Sequence, residues 1–399
     1  MTTILYLHSS DELYGSDRSL LDLVSGLDRE RFRPIVVLPT DLPYTRELTR
    51  ALWDRDVQVH HVDMPILRRR YFNARGGVAT LRRCIKSIPA LLSIARGADV
   101  DVIHSNTTAV LLGPLLAKLL GVPHVWHVRE LVLRPRVVRF CLNTYVYGGA
   151  TVMVCISNAV VRHVEASALL KFTVGQPRSR MHMIRDVIDI GGVVPPEDRA
   201  RMRAELGAGA DQVLVGMVGR ISAGKGVEYF LEAARQVVAV RPEVRFAIVG
   251  GPPLHEMWRL DRLREQVRAL GLSERLIVTG QRGDVSAVMS ALDVFVLPSQ
   301  TPEAMGRVVV EAMHAGAVPI VTNHGGAPEF VHDGVSGLLA APDDPSDAAR
   351  AIIRAVTDET WRRRASAAAE QAAERYLAPD LVPRVSAIYT SLAKPGAAG

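Results

Sequence analysis

Two carboxylates, Glu303 and Glu311, stand with seven residues between them in PEAMGRVVVEAMHAGAVPIVT. Upstream of them the apolar run Val294-Phe295-Val296-Leu297 stops at Pro298 and Ser299, which reads as the end of a strand, and a helical pattern opens near Gly306. The first amides of such a helix, at Met305, Gly306 and Arg307, have no intrahelical acceptor and point at whatever lies above the strand end. That setting suits a phosphate. Gly306 lets the backbone approach closely. With Glu303 just before the helix and Glu311 about two turns into it, the carboxylates would grip different parts of one ligand, one facing a sugar and the other a ribose. The simpler alternative is that Glu303 is a helix-start acid favoured by the dipole and Glu311 an ordinary solvated residue.

A second phosphate-type motif, Gly219-Arg220-Ile221-Ser222-Ala223-Gly224-Lys225-Gly226, weighs against that alternative. It follows the apolar residues 213–218 and precedes a helical pattern from Val227 through Val240, so it is again a strand, a glycine loop and a helix. Arg220 offers a bidentate guanidinium fork and Lys225 a mobile point charge, a pair suited to a diphosphate. Gly219, Gly224 and Lys225 also have the spacing of a nucleotide-triphosphate P-loop, but Gly226 stands where a Ser or Thr would hold magnesium. A basic glycine turn joining a strand to a helix is the plainer reading of the same segment.

These loops need strands and helices to position them. The chain has 399 residues, which suits two domains of nearly equal size, and its 48% hydrophobic content is ordinary for a globular α/β protein. Short apolar runs alternate with helical patterns throughout, the signature of parallel sheets covered by helices. Strands are expected at 4–7, 34–39, 57–62, 100–104, 125–128, 152–156 and 181–184, and then at 213–218, 246–249, 276–279, 294–297, 318–321 and 338–339. Two doubly wound, Rossmann-like domains follow, over 1–188 and 189–378, with a ligand crevice expected between them at the carboxyl ends of the strands. The linker is expected within 187–196, where glycines and prolines cluster. A last helix is expected near Leu381–Leu392, within 379–399, and by resemblance to similar proteins it is expected to cross back to the first domain.

The C-terminal half resembles the retaining glycosyltransferases of GT-B fold, in the large group called family 4 or glycosyl transferases group 1. The matching residues are Gly219-Arg220 with Lys225-Gly226, Leu297-Pro298-Ser299, Glu303 through Glu311 with Ala312-Met313, Gly316 with Val318-Pro319, Gly325-Gly326 with Pro328-Glu329, and Gly334 with Gly337. The resemblance implies that Glu303 contacts hydroxyls of the transferred sugar and Glu311 the ribose. It implies that Arg220 and Lys225 stabilise the diphosphate as negative charge develops on it. Gly219 and the backbone at Met305, Gly306 and Arg307 would complete the donor cradle. No metal or other cofactor is implied, the donor being a UDP- or GDP-linked sugar and the acceptor a glycan or lipid-linked hydroxyl.

The N-terminal half matches more loosely. Tyr14-Gly15-Ser16-Asp17-Arg18 is similar to the family's glycine loop near the donor phosphates, with Tyr14 where a second glycine is common. His127, in Trp126-His127-Val128-Arg129-Glu130, resembles the histidine that such enzymes place beside the sugar, and His104-Ser105-Asn106 occupies a comparable strand end. Asp186-Val187 stands where an Asn-Gly turn is common. The segment Gly280-Gln281-Arg282-Gly283-Asp284 is expected beside the base. A GT-B epimerase or phosphorylase would share the same site, and a nucleotide-sugar sensor would close on ligand without chemistry.

Composition bounds the rest. Asp54-Arg55-Asp56 and Asp99-Val100-Asp101 have a metal-binding spacing that arises often by chance, and the three cysteines, Cys84, Cys141 and Cys155, have no metal-ligand spacing. Residues 1–189 hold 25 Lys and Arg against 17 Asp and Glu, so the positive charge is N-terminal. It gathers at Arg68, Arg69, Arg70, Arg75, Arg82, Arg83 and Lys86, and at Arg134, Arg136 and Arg139. Leu81, Ile85, Ile88, Leu91 and Leu92 interleave with it, a pattern suited either to a helix on an anionic bilayer or to a solvated face over its own core. Nucleic acid is not expected, since aromatics are only 5% of the chain and no reader motif is present. With no secretory leader or membrane-spanning stretch visible, a cytoplasmic protein is expected, peripheral on the inner membrane face if the basic patches touch lipid.

Overall fold

The computed structural model describes residues 1–68, 74–167, 180–188, 190–253, 256–377 and 380–393. Arg69, Arg70 and Asp189, and the side chain of Arg75, lie outside the described residues. The chain divides into two compact units, Met1–Val187 with Pro379–Gly399, and Ile188–Ala378.

The first unit runs β1 (Thr2–Leu7), α1 (Gly15–Ser25), β2 (Phe32–Pro39), α2 (Glu47–Trp53), β3 (Gln58–Val62), α3 (Ala74–Gly97), β4 (Val102–Ser105), α4 (Gly113–Leu120), β5 (His124–Val128), α5 (Arg136–Gly149), β6 (Val152–Cys155), α6 (Asn158–Ser167) and β7 (Met181–Met183). Its sheet has the order β3-β2-β1-β4-β5-β6-β7, with β1 pairing in parallel to β2 on one side and β4 on the other. The strands are continuous apolar runs because both faces of a parallel sheet are covered. Ile4 and Tyr6 join one core cluster and Leu5 and Leu7 the other, as strand alternation requires.

The second unit runs α7 (Pro196–Glu205), β8 (Leu214–Val218), α8 (Val227–Val240), β9 (Arg245–Val249), α9 (Trp258–Ala269), β10 (Leu276–Gly280), α10 (Val285–Ala291), β11 (Val294–Leu297), α11 (Arg307–His314), β12 (Val318–Thr322), β13 (Leu338–Ala340), α12 (Pro345–Thr357) and α13 (Glu359–Leu377). Its parallel sheet has the order β10-β9-β8-β11-β12-β13. In each sheet the strand order reverses beside the first strand, at β1/β4 and at β8/β11, and such reversals open a crevice at the carboxyl ends. The glycine loops after β1 and β8 sit at these two places.

The last helix, α14 (Leu381–Leu392), belongs to the first unit. Leu381, Val385, Ile388 and Tyr389 pack into the same core cluster as Ile4, Tyr6 and the α1 leucines. Strand β4 begins at Val102, later than its apolar run suggests, because Asp99 turns the chain with φ +48°. Asp101 then uses its Oδ2 to accept the Thr3 amide at 2.8 Å, a sheet-edge role.

Candidate functional site

In the second unit the two sequence motifs meet. The loop after β8 is fixed by backbone bonds, with Gly219 N–H donating to Val249 O at 2.9 Å and Ile221 N–H to Gly251 O at 3.1 Å. Gly224 O accepts the amides of Gln300 at 2.9 Å and Thr301 at 3.0 Å, which ties this loop to the segment after β11. Gly226 caps α8 with φ +75°, and a Cβ there would lie 1.7 Å from Pro298 O. A serine or threonine at this position is therefore sterically excluded, which is why the P-loop spacing ends in glycine.

Lys225 Nζ donates to Glu303 Oε1 at 2.6 Å, joining residues 78 apart in sequence, and Ser299 Oγ donates to the same oxygen. The carbonyl of Ser299 is held in turn by Thr322 Oγ1 at 2.7 Å and His324 Nε2–H at 2.6 Å. The Glu303 backbone is pinned as well, its carbonyl accepting Gly326 N–H at 2.7 Å. Glu303 is thus aimed by β11, β12 and the glycine pair behind them. Gly306 precedes α11 with φ +86°, and Arg307 is the first residue of the helix, so Glu311 lies on its second turn rather than two turns in. Met305 is buried, while Arg220, Arg307 and Glu311 are half-buried.

In the first unit Gly15 opens α1, and a Cβ added to it would meet no atom within 4 Å. Tyr14 N–H donates to Asp17 Oδ2 at 2.9 Å, and Ser10 Oγ donates to the other oxygen. Although burial opposes it, these bonds and the His8 ring hold the Asp17 carboxyl below the usual range. His8 Nε2 lies 2.7 Å from Asp17 Oδ1, and His8 Nδ1 lies 3.1 Å from Asn106 Nδ2.

His127 is fully buried at the end of β5. Its Nδ1 lies 3.2 Å from an Arg129 Nη2 atom, and its Nε2, 3.9 Å from Asp186 Oδ1, has no hydrogen-bond partner among the described residues. Burial first, and the Arg129 charge second, push His127 well below the usual imidazole range. His104 packs beside it, the ring centroids 5.5 Å apart and the planes tilted by 53°, with Nδ1 2.6 Å from the Tyr389 hydroxyl. Burial likewise holds His104 well below the usual range, aided by the charges of His127 and Arg129.

Arg129, Asp186, His8 and Asp17 form this buried network, and sequence reasoning gave none of them such a role. His8, Asn106 and Arg129 stand just past the carboxyl ends of β1, β4 and β5, and a search of strand ends for polar residues finds them. The segment 280–284 is braced, Arg282 donating to Asp284 Oδ2 at 2.5 Å and Glu205 Oε1 at 2.5 Å. Among the described residues no group of three or more His, Cys, Asp or Glu is arranged to hold a metal ion.

The model of glycosyl transferases group 1 matches residues 198–372, and that of the glycosyl transferase 4-like domain matches 15–184. The chain is 32% identical over 213 residues, 51% of its length, to a D-inositol 3-phosphate glycosyltransferase of Thermobifida fusca. It spans about half the length of that relative, 48%. A UDP-Gal:alpha-D-GlcNAc-diphosphoundecaprenol alpha-1,3-galactosyltransferase of Escherichia coli is 25% identical over 349 residues, 85% of this chain and 87% of that protein. Among solved structures, Anabaena HepE in complex with UDP and glucose superposes with a TM-score of 0.80 at 23% identity, over 98% of this chain and all of that one. The fold is shared at that identity.

Proposed function

The chain belongs to the glycosyl transferases group 1, of GT-B type, and from that premise we propose that it is a retaining glycosyltransferase moving a hexose-type sugar from a UDP-linked donor to a hydroxyl of a lipid-linked or cell-surface glycan. The observation that carries this reading is the 2.6 Å pair of Lys225 and Glu303, which brings a cation for a diphosphate and a carboxylate for sugar hydroxyls to one place. The UDP ligand of the Anabaena structure and the UDP-Gal donor named for the Escherichia coli relative support uracil as the base. The diphosphoundecaprenol acceptor named for that relative supports a lipid-linked substrate.

In the transfer, the bond from the sugar C1 to the β-phosphate oxygen breaks as the acceptor oxygen bonds C1 on the same face. The acceptor proton passes to the departing phosphate oxygen, leaving a nucleoside diphosphate and a glycoside. Lys225 and Arg220, with the amides at 305–307, offset the charge that develops on the diphosphate. Glu303 orients the sugar through its hydroxyls and Glu311 the ribose, while Gly15 and Ser16 leave room for the ligand at the start of α1. No metal takes part in this scheme, and His127 contacts the sugar. The protein works on the cytoplasmic side of the membrane, with the exposed apolar and basic face of α3 resting on anionic lipid.

Thermal melting against UDP, GDP, ADP, TDP and CDP, with and without magnesium, tests the donor assignment. A rise with UDP alone, independent of metal, is expected, since a ligand of the folded state raises its melting point by mass action. Lys225→Ala should keep the fold and lower turnover about 10²- to 10³-fold, the range for one lost electrostatic donor. A fully active Lys225→Ala protein, or no shift with any nucleotide, overturns the reading.

A further inference from the structure

We propose that Arg129, anchored by Asp186, is a positioning residue that fixes the ring tautomer of His127 and leaves its Nε2–H as the hydrogen-bond donor offered to the sugar. This rests on the proposed sugar contact of His127. The assignment follows from which atoms have no choice. A guanidinium only donates. Arg129 places Nη1 on both oxygens of Asp186, Nε 3.3 Å from Asn106 Oδ1 and Nη2 3.2 Å from His127 Nδ1. His127 Nδ1 must therefore accept, and its proton must sit on Nε2, the atom with no partner among the described residues. A histidine so held is a donor and cannot take the acceptor's proton through Nε2.

The same guanidinium settles a second chain. With Asn106 Oδ1 accepting from Arg129, the Asn106 amide must present Nδ2 to His8 Nδ1 at 3.1 Å. His8 Nδ1 then accepts and Nε2–H donates to Asp17 at 2.7 Å, and Asp17 in turn receives the Tyr14 amide that starts the Gly15 helix. One arginine thus orients both the histidine at the end of β5 and the glycine loop after β1. Arg129 and Asp186 are both buried, so each is held in place only while the other is present.

The test uses the full chain with 15N-labelled histidine and long-range proton–nitrogen correlation at neutral pH, His127→Gln supplying the assignment. The expected spectrum has His127 protonated at Nε2 alone. Protonation at Nδ1, or at both nitrogens, overturns the proposal. This readout needs no substrate, so its failure is separate from failure of the proposed transfer. Arg129→Met with Asp186→Asn removes the donor without stranding a buried charge. In that double variant the tautomer preference should be lost and kcat should fall about 10²-fold, the cost of one misplaced donor, with the donor KM little changed.

Burial, the larger cause of the low titration of His127, is unchanged in the double variant, so the ring should stay neutral there and the lost tautomer preference, not a new charge, should account for the lower rate. Arg129→Lys keeps a cationic donor and should restore part of the rate. A double variant with parental rate and tautomer overturns the assignment.

Discussion

Two glycines make opposite demands on their surroundings. Gly226 is compelled by its own protein, since φ +75° and a carbonyl 1.7 Å from the missing Cβ leave no space for a side chain. Gly15 is not, because a methyl there meets nothing within 4 Å. Gly226→Ala should destabilise the second unit by about 2–4 kcal/mol through left-handed strain and overpacking, measured by urea denaturation. Gly15→Ala should leave stability unchanged or slightly raised, as alanine is the better helix former, by up to ~1 kcal/mol. Under the proposed donor site its effect should fall on sugar transfer, since no protein atom occupies the space beside it. A Gly15→Ala protein with parental kinetics would remove Gly15 from the site. Lys225 and Glu303, which the fold brings together, were legible as candidates because each sits in a compact motif at a strand end. Arg129 was not, because its partners lie 23 and 57 residues away and only the folded sheet lines them up.

Strands were legible for a different reason: a parallel strand covered on both faces must be apolar along its whole length, and each expected run is a strand. The first half of α3 departs from the simplest expectation. Leu91 is buried, and Ile88 and Leu92 pack on the core beneath it. Yet Val78, Leu81 and Ile85 are 53%, 61% and 64% exposed, spaced to share one side of the helix, with Arg82 and Lys86 exposed beside them. A core helix has no use for these residues, and periodicity alone does not separate an outward apolar stripe from an inward one. Vesicles of phosphatidylcholine and phosphatidylglycerol should sediment the protein, more weakly as salt rises. Leu81→Glu with Ile85→Glu should abolish that binding and leave the melting point in place; unchanged binding would remove α3 from the contact. No helix among the described residues is long and apolar enough to cross a membrane.

Across the whole molecule, the titration of buried histidines is concentrated in the first unit. Burial brings His124 down to about 4 and holds His104 and His127 well below the ordinary value. Above pH ~6.5 these rings are neutral folded or unfolded and cost nothing. As pH falls below that point the unfolded chain takes up protons that the folded unit refuses. Stability then declines by about 1.4 kcal/mol per pH unit per histidine, down to about pH 4 for His124. The lowered Asp17 carboxyl keeps its contribution until pH drops through the range below its ordinary value, so it does not offset this loss. Urea denaturation between pH 8 and 4.5 should show the first unit weakening while the second holds; parallel loss in both would refute it.

The placement of α14 bears on how the chain is made. The first unit holds both the earliest strands and the last helix, whereas residues 188–378 hold everything their own core requires. During synthesis the N-terminal sheet emerges first but must wait, with Tyr6 and its neighbours uncovered, until Leu381, Val385, Ile388 and Tyr389 leave the ribosome. The half that begins first is the half that finishes last, and the interval in which its apolar face stands open to misassembly is set by the time taken to translate the other half.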